Sequence, residues 1–173
     1  MTLFGLIGGK QRERQAGNGP ARAPAQAAPG TAISYDAGLV PRLTQEHRKL
    51  LGIYQQLQLA VTKTDVAAIQ QRLREFRGML QEHLLQENVK LYVYLARHLA
   101  GDQASSELVS DMRREMMGIG RVVMDFLRKY TDSPMSPGQV LEFKKELDAI
   151  GAALVQRIER EESALYSLYL ESY

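Results

Sequence analysis

The chain has 173 residues, 24% of them charged, with a formal net charge of +2 and no cysteine. That length suits one domain with a substantial buried core. The absence of thiols excludes disulfides, thiolate metal ligands and a cysteine nucleophile, and it fits a reducing, cytoplasmic setting.

Charge and composition divide the chain. Residues 1–34 carry Lys10, Arg12, Arg14 and Arg22 against Glu13 alone, a net of +3 that leaves −1 for the rest. So balanced a remainder has no basic footprint, and no nucleic-acid binding is expected of the core. "QAGNGPARAPAQAAPGTA" (15–32) lacks bulky apolar residues and reads as a linker. We therefore expect a flexible tail over 1–34 and a folded domain over 35–173. The tail opens with "MTLFGLIGGKQRER", whose basic cluster follows the apolar patch, the reverse of a secretory signal. Leu3, Phe4, Leu6 and Ile7 offer at most a weak membrane or docking contact. No apolar run approaches the ~18 residues of a transmembrane segment.

Four helical patterns follow, each alternating steps of three and four. The first covers about 38–62, with inward residues Leu43, His47, Leu50, Tyr54, Leu57 and Val61. The second covers about 65–99 behind Asp65 as cap, with Ile69, Leu73, Phe76, Leu80, His83, Glu87, Leu91 and Tyr94. The third covers about 104–130 and faces inward with Leu108, Met112, Met116, Ile119, Val123, Phe126 and Tyr130. The fourth, about 137–171, opens on a capping box of Ser136, Pro137 and Gln139. Its inward residues are Val140, Phe143, Leu147, Ile150, Leu154, Arg157, Glu161, Leu165 and Leu168. Short connections force antiparallel neighbours, so the expected fold is all-α, an antiparallel up-down-up-down four-helix bundle.

Polar residues on these apolar stripes carry the functional signal. His47, His83, Glu87, Arg157 and Glu161 all face inward, while the third helix contributes Met116 at the same level. A buried carboxylate costs several kcal/mol unless it is paired or binds a cation. "HLLQENVKLY" (83–92) also aligns with "RIEREESALY" (157–166), pairing His83 with Arg157, Glu87 with Glu161 and Tyr92 with Tyr166. His47 aligns more loosely with Met116. The chain thus reads as two helix pairs related by an approximate twofold.

His47 in "LTQEHRKLLGIY", His83 and Glu87 followed by "LY", and "EREESALY" together resemble the hemerythrin-like (HHE) cation-binding domains. The resemblance covers roughly 38–170 and implies a bundle holding non-haem iron through histidines and carboxylates. Position by position it implies metal ligands at His47, His83, Glu87 and Glu161, or Glu162 one residue on. It departs where the family places histidines on the third and fourth helices, here Met116 and Arg157. What survives suits one iron or other divalent ion, and dinuclear iron is not expected. The alternative is a metal-free polar core in which Arg157 bridges Glu87 and Glu161.

"LEFKKELDAIGAALVQRIEREE" (141–162) is similar to the last helix of the Rsd/AlgQ anti-sigma regulators, which implies a protein partner such as a sigma factor. Tyr92, Tyr94, Tyr166 and Tyr169 read as large side chains with wet hydroxyls near one bundle end. No serine–histidine–acid order, phosphate loop or HExxH occurs, so an enzyme is not expected. The function expected is signalling or regulation by a bundle with a degenerate metal site. The alternatives are a mononuclear iron site that senses oxygen, nitric oxide or redox state, and an anti-sigma regulator.

Overall fold

The computed structural model describes residue 30 and residues 32–170, so the readings made for residues 1–29 lie outside the described residues, while Ile33, placed in the tail, packs against the bundle. Helix α1 spans Leu39–Thr62, and α2 spans Val66–Gln86, capped by Asp65, which accepts from Ala68 N–H at 3.0 Å. A π-turn at Glu87–Leu91 joins α2 to α3 (Tyr92–His98), making one rod of the two. Helix α4 spans Gln103–Thr131 behind Asp102, which accepts from Ser105 N–H at 3.3 Å. The expected capping box at Ser136 and Gln139 is formed and opens a 3₁₀ turn at Pro137–Gln139. Helix α5 (Val140–Arg160) runs into a second π-turn, Glu161–Leu165. The result is the expected all-α four-helix bundle.

The two π-turns have a cause in the sequence. Along the second rod His83, Glu87, Leu91 and Leu95 are all buried, as are Arg157, Glu161, Leu165 and Tyr169 along the fourth. Repeated steps of four rotate a stripe by roughly 40° per step on an α-helix of 3.6 residues per turn. One wider turn absorbs that drift: Tyr92 N–H donates to Glu87 O, and Tyr166 N–H to Glu161 O. Both carboxylates therefore keep facing the axis.

Two apolar clusters fill the bundle. One holds Leu39, Leu43, Leu91, Leu95, Met112 and Leu165, and the other Leu50, Leu80, Val123, Leu147 and Leu154 among others. Every rod changes cluster at the level of His47, His83, Met116 or Arg157, so the polar residues form a layer between two dry cores. On α4 Met112, Met116, Val123, Phe126 and Tyr130 are buried as expected, but Val109 and Gly120 take the inward places given to Leu108 and Ile119. Val109 is buried and Leu108 is 38% exposed, because 109, 112, 116, 120 and 123 make the consistent inward row. Among the described residues no helix is long and apolar enough to cross a membrane.

Candidate metal centre

His47, His83, Glu87 and Glu161 meet in that layer. One ligand atom from each lies within 4.8 Å of the others, and all four residues are buried. His47 Nε2 is 3.1 Å from His83 Nε2 and 3.3 Å from Glu161 Oε2, and His83 Nε2 is 3.8 Å from Glu87 Oε2. The sequence-derived ligand positions are thus brought together.

Three glutamates complete the site from outside, and two of them, Glu46 and Glu115, were not singled out in the sequence. Glu162 Oε1 stands 2.8 Å from His47 Nδ1, and Glu46 Oε2 stands 2.9 Å from His83 Nδ1. Glu162, weighed beside Glu161 as a ligand, belongs to this outer set. A carboxylate at Nδ1 fixes the proton there and turns the Nε2 lone pair inward, the usual support of a metal-binding histidine. The third, Glu115, holds Arg157: its Oε2 accepts from the guanidinium at 3.1 Å, and Arg160 grips the same carboxylate.

Arg157 does not bridge Glu87 and Glu161 as expected. Its Nε donates to Glu161 Oε1 at 2.6 Å, and its terminal nitrogens donate to Glu115 and, at 2.5 Å, to the Tyr92 hydroxyl. Tyr92 and Glu115 take its terminal nitrogens, which leaves none of them hydrogen-bonded to Glu87. Among the described residues Glu87 is left with one hydrogen bond, from the Tyr166 hydroxyl to Oε1 at 3.2 Å, and its buried Oε2 has no hydrogen-bond partner. Tyr92 and Tyr166 are corrections too. Both hydroxyls lie inside the polar layer, because each tyrosine directly follows a π-turn that swings it inward. Tyr94 and Tyr169 pack on each other at the bundle end as the sequence suggested, but both are buried, with the Tyr94 hydroxyl donating to Leu170 O and that of Tyr169 accepting from Asp36 N–H.

Protonation follows from this geometry. Burial, then the neighbouring Glu161 charge, pushes Glu87 up to about 8. His47 is raised: burial alone would lower it, but hydrogen bonds to Glu161 and Glu162 outweigh burial. His83 is lowered by burial, with Glu46 opposing. Two inward lone pairs and a buried carboxylate therefore need either protons or a cation between them. Glu87 and His47, both raised, stabilise the metal-free fold below their unfolded values and lose that contribution as pH rises through the folded ones. Chelator-treated protein is accordingly expected to unfold at lower urea concentration at about pH 9 than at about pH 6. An unchanged or rising midpoint would show Glu87 to be charged throughout.

A bundle with inward imidazoles and carboxylates at mid-height, in a dry setting between two apolar clusters, is a candidate cation-binding helical domain. The chain matches the hemerythrin HHE cation binding domain over residues 39–169 and belongs to that family. Comparison with curated proteins and with solved structures returned no match.

Proposed function

We propose that this protein binds a single divalent transition-metal ion, of the iron, manganese or zinc class, through His47, His83, Glu87 and Glu161. The unpartnered Glu87 Oε2, facing two imidazole Nε2 atoms, carries this reading. A buried carboxylate oxygen without a donor is costly, and a cation at that point would satisfy it together with both lone pairs. Charge agrees: five glutamates (46, 87, 115, 161 and 162) stand against two imidazoles and the guanidinium groups of Arg157 and Arg160. Arg157 supports one ion rather than two, since it places a fixed cation on the side where a second would sit. When bound, an iron ion would supply redox chemistry or a coordination position for a small ligand.

We read the role as regulatory rather than catalytic. The cavity beside the ligands is about 30 Å³, room for one molecule of water or diatomic size, and apart from Arg157 and Tyr54 its remaining wall is apolar. In this reading the output is a contact with a protein partner, and a sigma factor is the class suggested by the likeness of the fourth helix to anti-sigma regulators. Anaerobic loading with ferrous iron followed by metal analysis is expected to give about one equivalent, lost in His83→Ala. No retained metal would overturn the site, and two equivalents would overturn the role given to Arg157.

A further inference from the structure

Of the residues that line the 30 Å³ cavity, all are buried except Leu51 and Tyr54 on α1 and Ile158 on α5. The cavity wall therefore meets solvent along the α1–α5 seam. Tyr54 lies across that seam. A Cβ added at Gly151 would fall 2.1 Å from its hydroxyl oxygen and 2.2 Å from Cζ, so the phenol rests directly on the α5 backbone. Only glycine permits this approach. The hydroxyl reaches the surface, where Gln58 Nε2 donates to it at 3.1 Å. Swinging the ring outward breaks one exposed hydrogen bond, the contact with Gly151 and the ring's packing against the edge of the apolar cluster. No buried polar pair is disturbed.

We propose that Tyr54, bedded on Gly151, is the gate that sets how fast, and up to what size, ions and small ligands reach His47, His83, Glu87 and Glu161. This rests on the metal reading for what passes, and on the cavity alone for the path. A gate changes entrance and exit by the same factor and leaves the equilibrium affinity alone, whereas a ligand or a packing residue shifts affinity or stability.

The test uses the full chain with cobalt(II) as probe, following uptake and chelator extraction by stopped flow. Tyr54→Ala is expected to speed both by about tenfold, a barrier lower by ~1.4 kcal/mol, with little change in Kd. Tyr54→Phe should behave as wild type, because the ring and not the hydroxyl closes the seam. Gly151→Ala, which evicts the ring, should follow Tyr54→Ala. Leu73→Ala, a core truncation remote from the seam, controls for release by unfolding and should not accelerate extraction. Unchanged rates in Tyr54→Ala, a Kd change that accounts for the rates, or equal acceleration in Leu73→Ala would overturn the gate. A second arm needs no metal: xenon exchange into the cavity of chelator-treated protein, read from the methyl resonances of Leu50 and Leu154, should be faster in Tyr54→Ala. If wild type binds no cobalt the metal reading falls, and the xenon rates alone decide the gate, equal rates rejecting it.

Discussion

Replacing Met116 and Arg157 together by histidine is expected to raise the metal content from about one equivalent to about two. The reason is that the two halves of the bundle match beyond the residues at the centre. Glu46 supports His83 from α1, and Glu115 supports Arg157 from the corresponding place on α4. Glu87 and Glu161 each open a π-turn, and Tyr92 and Tyr166 each close one. The tyrosines exchange partners across the pseudo-twofold, Tyr92 accepting from Arg157 and Tyr166 donating to Glu87. Two inward nitrogen donors are missing from the α4–α5 half, and the place that matches Glu162 is held by Asn88, whose amide donates to Leu84 O. A histidine at 157 would find its outer carboxylate already in place, and one at 116 would face it as His47 faces His83. Met116→His alone leaves the guanidinium where the ion must go and should stay at one equivalent. One equivalent in the double variant would mean that α4 and α5 stand too far apart to converge on an ion. The same variant, chelator-treated, should be less stable than wild type and regain about 2.7 kcal/mol per occupied site with metal at a hundred times its Kd.

This symmetry was partly visible in the residues. Steps of three and four gave four helices whose capped ends are correct to a residue or two, because caps such as Asp65 and the Ser136–Gln139 box act locally, whereas the uncapped end of the fourth falls at Leu168 instead of 171. The inward polar set was also readable, since a histidine or carboxylate on an apolar stripe is conspicuous against leucines. What escaped was anything set by a neighbouring helix. Arg157 was expected to serve Glu87 because both lie on inward stripes, but which acceptor it reaches depends on Tyr92 and Glu115 from two other helices. Glu46, Glu115 and Glu162 are flanking residues whose side chains reach around the stripe, so periodicity alone files them with the solvated face. One signal was available: "EH" at 46–47 and "EM" at 115–116 occupy matching places in the first and third helices. The π-turns had a signal as well, in the unbroken steps of four through 83, 87, 91 and 95 and through 157, 161, 165 and 169.

Truncating Arg157 to alanine should destabilise the metal-free protein by about 3–5 kcal/mol, the usual effect of removing one partner from a buried ion pair. The guanidinium is 2% exposed, as is Glu161. Without it Glu161 Oε1 and the Tyr92 hydroxyl both lose their partners inside the polar layer, while Glu115 retains Arg160 and some solvent. The loss is therefore set by Glu161, whose carboxyl is held below its ordinary value against the opposing effect of burial by the His47 hydrogen bond and the Arg157 charge. Removing that charge makes Glu161 either take up a proton or recruit a cation. Added divalent metal should then recover more stability in Arg157→Ala than in wild type, because the ion replaces a missing charge as well as binding its ligands. Arg157→Lys separates charge from shape: a lysine keeps the charge but cannot serve Glu161, Glu115 and Tyr92 at once through a planar fork. It should fall between wild type and alanine. Urea unfolding of the three proteins with and without metal measures this. A loss under ~1 kcal/mol in the alanine variant would show that Arg157 reaches solvent in solution and that the α5 carboxylate finds its counter-charge in His47 alone.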